Sequence, residues 1–132
     1  MDSVATRTAQ RFSKAVTALE KALALGALPE NADRDAVLLR FELAAELMPK
    51  VLQRILSERG ADVMLPKDTV RAASAVSLVG EDDGETLLAI IDDRNRMMHD
   101  DSDEYAAELL KRVREVYGTV LRTLADTVQK EI

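Results

Sequence analysis

Apolar residues recur along this chain at alternating steps of three and four, the spacing that stacks side chains on one face of an α-helix. Ala5, Ala9, Phe12, Val16, Leu19 and Leu23 set the pattern over residues 3–25, and Gly26 and Pro29 end it. A second stripe, through Val37, Phe41, Ala44, Met48, Val51 and Ile55, spans residues 33–59; Leu38, Ala45 and Leu52 widen it and Gly60 closes it. Pro49 lies inside this stripe, where its missing N–H and its crowding of the Ala45 carbonyl predict a kink or a break. Pro66 suits the first turn of a short third helix ending near Gly80. The fourth begins after "GEDDGE", with Asp82 and Glu85 as a capping pair, and runs to about Met98. After a turn at residues 99–101, Ala106, Leu110, Val113, Tyr117, Val120 and Leu124 carry the rhythm almost to the C-terminus. Five such helices with short connections predict an all-α fold, an antiparallel up-and-down bundle occupying residues 1–132 as one domain. No alternating strand pattern or internal repeat competes with it.

Composition narrows the chemistry. Aromatic residues make up only 3% of the 132, so the core is expected to be aliphatic. The absence of cysteine excludes disulfides and thiolate metal sites. The opening "MDSVATRTAQ" has no apolar signal region and no window is apolar enough to span a membrane, so a cytoplasmic location is the default expectation. A formal net charge of −6 opposes indiscriminate binding to phosphate backbones, so any nucleic-acid role must rest on a local site. There is no glycine-rich phosphate loop, no histidine pair for zinc, no Glu-x-x-His pair for a di-iron centre, and "DDGE" is too short for a calcium loop. No cofactor-binding or metal-ligating set emerges, and no serine or cysteine triad.

What remains is "IIDDRNRMMHDDSDEY", residues 90–105, which holds the only histidine, His99. Helix geometry places Arg94 amid Leu87, Ile90, Ile91, Met97 and Met98 on the apolar stripe, where a guanidinium requires a carboxylate, a subunit interface or an anion pocket. Arg94 and His99 lie about 140° apart on one continuous helix, whereas Asn95 and His99, four apart, share a face. Either the helix ends before His99 and the turn brings the imidazole back, or two copies of the chain combine their residues. The acids Asp92, Asp93, Asp100, Asp101, Asp103 and Glu104 have a plainer role in solvation and in capping the last helix.

Two stretches resemble the HEPN superfamily, and within it the nucleotidyltransferase substrate-binding proteins or HepT-like toxins. "RFELAAELMPKVLQRILSERG", residues 40–60, is similar to the family helix that begins Arg-Phe-Glu; "DRNRMMHDD", residues 93–101, carries its Arg-Asn-x-x-x-His signature. The resemblance implies a homodimeric helical bundle partnered with a separate minimal nucleotidyltransferase, often as toxin and antitoxin. It also implies a metal-independent ribonuclease site at the dimer cleft: Arg94 on the scissile phosphate, His99 as general acid or base, and Asn95 orienting them. Many relatives carry, two residues after the histidine, a tyrosine that the partner can modify with AMP; here that residue is Asp101. Tyr105 is the nearest substitute, and its other reading is a helix residue facing the core. Pro49 stands where relatives commonly have an aromatic residue.

Overall fold

A computed structural model describes residues 3–132. Five helices follow one another: α1 (Val4–Leu23), α2 (Ala32–Glu58), α3 (Pro66–Ala75), α4 (Glu81–Arg96) and a composite α5. The last consists of Asp103–Arg112, a π-helical turn Val113–Tyr117 and Gly118–Glu131, with helical dihedrals throughout the joints. No strand occurs among the described residues.

The predicted periodicity accounts for α1 and α2. Ala5, Ala9, Phe12, Val16 and Leu19 are fully buried, against Val37, Phe41, Ala44, Met48, Val51 and Leu52 of α2. The Ser3 hydroxyl caps α1 by accepting the Thr6 N–H. α1 makes its most extensive contact with α2 and also packs on the C-terminal part of α5; α3 bridges α2 and α4. A short connection between neighbours that pack together makes each consecutive pair antiparallel.

Of the two expectations at Pro49, the break is excluded: α2 runs through the proline as one helix, with apolar packing on both sides of it holding the flanking turns. Several boundaries differ from the sequence expectation. α3 stops at Ala75, not near Gly80; Ser77 takes a left-handed φ of 60°, which turns the chain toward α4. α4 begins at Glu81, with Gly80 as an N-cap lacking any side-chain bond, so Asp82 and Glu85 form no capping pair. Glu81, Asp82 and Asp83 occupy its first turn and meet the positive end of the helix dipole instead. Gly84 lets α3 approach: a Cβ there would stand 2.3 Å from the Ser74 hydroxyl oxygen. On α5 the buried series is Tyr105, Leu109, Val113, Tyr117 and Leu121, with Ala106, Leu110 and Val120 only partly covered. That series moves in steps of four, so it drifts around a regular helix and needs the wider π turn to stay on one face.

Candidate functional site

The end of α4 divides its side chains among three environments. Asp93 turns inward, Arg94 and Asn95 face a cleft against α2, and His99 sits in the turn beyond the helix.

The cleft has a volume of about 330 Å³. α2 supplies Ala45, Glu46, Pro49, Lys50 and Gln53; Met64, Pro66 and Thr69 form the far wall, and Ile91, Arg94 and Asn95 come from α4. Pro49 thus lines the same space as two of the predicted site residues. Gln53 donates to the Val63 carbonyl at 2.8 Å and Thr69 to that of Leu65 at 2.8 Å, so both side chains are committed to shaping the wall. Lys50 lies 3.4 Å from Glu46, an exposed pair that leaves the ammonium movable.

Arg94 is half-buried rather than central to an apolar stripe. One of its terminal nitrogens points at the Met98 sulfur, 3.6 Å away, while its Nε is buried with no hydrogen-bond partner. Among the described residues no carboxylate pairs with it, so an internal salt bridge is not what holds this guanidinium. A buried, unpaired N–H on a permanent cation is costly.

α4 ends at Arg96, earlier than Met98, so Asn95 and His99 do not share a helical face. His99 is exposed, outside the Arg94 cleft, and its imidazole takes no hydrogen bond among the described residues. Its backbone, by contrast, is fixed: His99 N–H and Asp100 N–H both donate to the Arg96 carbonyl, at 2.9 and 3.0 Å. The Arg96 guanidinium grips Asp100 Oδ2 at 3.0 and 3.2 Å. Asp100 Oδ1 takes the Ser102 N–H and hydroxyl, and Ser102 Oγ accepts the Tyr105 N–H at 3.2 Å as the N-cap of α5. These donors hold the Asp100 carboxyl below the usual carboxylate range, Ser102 contributing most.

The least expected arrangement surrounds Asp93. Its carboxylate, 8% exposed, accepts from the Tyr105 hydroxyl (2.8 Å), from Arg112 through Nη2 (2.8 Å) and Nε (3.0 Å), and from the Tyr117 hydroxyl (2.6 Å). Tyr105 also lies 2.9 Å from the Asp93 carbonyl, so its one proton is shared. Burial by itself pushes the Asp93 pKa up; the hydrogen bonds from Arg112, Tyr117 and Tyr105, with the charge of Arg112, more than reverse this and hold it below the ordinary value. Burial first, and the Asp93 carboxylate second, push both phenols well above theirs. The Tyr117 ring stacks on Phe41 at 5.7 Å and Arg96 lies 4.1 Å over the Tyr105 ring. Tyr105 therefore belongs to the core and is not an accessible modification site. The sequence reading placed Asp93 among solvating acids and passed over Arg112; the run of four-residue steps from Tyr105 to Leu121 was the signal for a π turn. No cluster of three or more His, Asp or Glu able to hold a metal exists among the described residues, and none of their helices is long and apolar enough to cross a membrane.

No curated protein matches this sequence. Among solved structures, a protein from Thermus thermophilus superposes with a TM-score of 0.75 at 28% identity, covering 90% of this chain and 96% of that one. A toxin–antitoxin structure with AMP-PNP matches at a TM-score of 0.80 and 12% identity, covering 98% of both chains. A tri-AMPylated Shewanella oneidensis HEPN toxin in complex with MNT antitoxin matches at 0.80 and 12%, covering 98% of this chain and 99% of that one. At such identity these last two show a shared fold alone. The family model described as nucleotidyltransferase substrate binding protein like matches residues 7–130, and the chain belongs to that family.

Proposed function

We propose that this protein is the HEPN subunit of a two-component module with a separate minimal nucleotidyltransferase, of the toxin–antitoxin type, and that it is a metal-independent endoribonuclease acting through Arg94, Asn95 and His99. The observation that carries this reading is the Arg94 guanidinium, set in the wall of a cleft with a buried Nε and no carboxylate. Such a group is a seat for a phosphate. In the reaction, Arg94 stabilises the charge that develops on the scissile phosphate and His99 moves protons at the 2′-hydroxyl and the leaving oxygen. Atoms balance without a metal: the 2′-oxygen attacks phosphorus, the 5′-oxygen leaves with a proton, and the imidazole accepts one proton and donates another.

His99 lies outside the Arg94 cleft of its own chain, which favours completion of the site by a second copy. Met98, exposed and in contact with Arg94, offers apolar surface beside it for that homodimer, and Leu39 and Leu43 add exposed apolar side chains on α2. The expected state by light scattering at micromolar concentration is a dimer; a monomer contradicts this part of the reading.

A second reading, a catalytically silent subunit that binds the partner's substrate, is favoured by the exposed Asp101 and its acidic neighbours, which repel RNA phosphate near His99. Asp101 also stands where related toxins carry a modifiable tyrosine, and both tyrosines here are buried. Inducing the wild type and His99→Ala in cells without a partner separates the two readings. Growth arrest and RNA fragmentation by the wild type alone support the ribonuclease; intact RNA with both supports the silent subunit.

A further inference from the structure

We propose that Asp93, Tyr105, Arg112 and Tyr117 form a positioning hub that fixes the end of α4 and the turn bearing His99 in one geometry, a role that rests on the ribonuclease reading above. Four hydrogen bonds converge on a carboxylate one residue before Arg94. Packing alone does not call for this. A buried ion pair is commonly no more stabilising than apolar residues of the same volume, so the fold could close this corner without a charge.

The backbone is bent to build the hub. Tyr105 and Arg112, seven residues apart, share a face of a regular helix, but Tyr117, five further on, falls about 140° away from Arg112. The π turn Val113–Tyr117 widens the helix by one residue and returns Tyr117 to that face. Phe41 of α2 then holds the Tyr117 ring by stacking, so the hub joins α2, α4 and α5.

From the hub, rigidity passes along a closed circuit. Tyr105 binds the carbonyl of Asp93, the same oxygen that accepts Met97 N–H at 3.0 Å at the end of α4. Arg96 lies across the Tyr105 ring and grips Asp100; Asp100 holds Ser102, and Ser102 caps Tyr105. The segment between Arg96 and Ser102 is thus tied at both ends to one tyrosine, and His99 is exposed on it together with Met98 and Asp101. A fixed backbone beneath a free imidazole is preorganisation for a group that meets its target only when a second copy or a substrate arrives.

Tyr117→Phe in the full chain is the decisive variant: it deletes the hydroxyl on Asp93 Oδ2 and keeps the ring on Phe41. Val16→Ala on α1, a core truncation away from the hub, controls for lost stability. On single-stranded RNA, Tyr117→Phe is expected to lower kcat by about 10-fold or more with KM within about twofold, while Val16→Ala keeps the wild-type kcat below its melting temperature. Amide order parameters at residues 97–101 are expected to fall from about 0.85 toward 0.6 in Tyr117→Phe only. An unchanged kcat in Tyr117→Phe, or an equal loss in Val16→Ala, overturns the hub. If the wild type cleaves no RNA, the ribonuclease reading fails and the order parameters decide alone: loosening in Tyr117→Phe supports the hub, and unaltered values overturn it.

Discussion

The α1–α2 interface and the corner between α4 and α5 hold the same bundle together by opposite means. The first is an apolar seam with Phe12, Val16, Leu19, Met48 and Leu52 wholly buried; the second surrounds one carboxylate with two phenols and a guanidinium. An apolar seam stabilises many nearby arrangements almost equally, since it is not directional. The polar corner stabilises one, because each hydrogen bond has a narrow range of length and angle. The corner also adjoins Arg94 and His99. The fold's bulk and its precision therefore reside in different places.

Breaking each side in turn sharpens that contrast. Phe12→Ala opens a cavity in the seam and is expected to cost about 4 kcal/mol by chemical denaturation. The environment of the two tyrosines in the native state is expected to stay as it was. Asp93→Ala strands Arg112 and two hydroxyls and is expected to cost about 3 kcal/mol, with a changed native tyrosine fluorescence. That signal is specific, since the chain has two tyrosines, both in the corner, and no tryptophan.

Acid distinguishes the regions without mutation. The folded pKa of Asp93 lies below its unfolded value, so its stabilisation is complete above about pH 4 and is lost as pH falls through the folded value. Tyrosine fluorescence is expected to report this loss in the wild type and not in Asp93→Asn. At the alkaline end the folded phenols hold their protons more tightly than unfolded ones, so stability is expected to fall as pH rises above about 10.

Smaller effects follow at the periphery. Ser102→Ala removes the α5 cap and is expected to cost about 1 kcal/mol, with loosening of the turn visible in hydrogen exchange at His99 and Asp100. Lys67→Ala breaks the solvent-exposed pair with Asp92 and is expected to cost less than about 0.5 kcal/mol; a larger change in the denaturation midpoint would show that α3 is held to α4 by charge.

The same contrast explains what the sequence disclosed. Helical periodicity made α1 and α2 legible because their apolar faces repeat at the spacing of a regular helix. It placed Val113, Tyr117 and Leu124 of α5 in the core but chose Ala106 and Leu110 over Tyr105 and Leu109, because a π turn breaks the periodicity on which the reading depends. Arg94, Asn95 and His99 stood out through the Arg-Asn-x-x-x-His spacing, and the structure brings the first two to one cleft with Pro49. Asp93 did not stand out. Nothing in a run of six acids marks the one whose partners, Arg112 and Tyr117, arrive from 19 and 24 residues away.

Metal-independent RNA cleavage by Arg94 and His99, as proposed, is tested most directly by the cleavage of single-stranded RNA by the wild type and by His99→Ala, with EDTA present and folding checked by circular dichroism. The expected result is cleavage by the wild type in EDTA and a loss on the order of 10²-fold or more in the variant, with helical content unchanged. Equal cleavage by the two proteins, or activity abolished by EDTA, contradicts it.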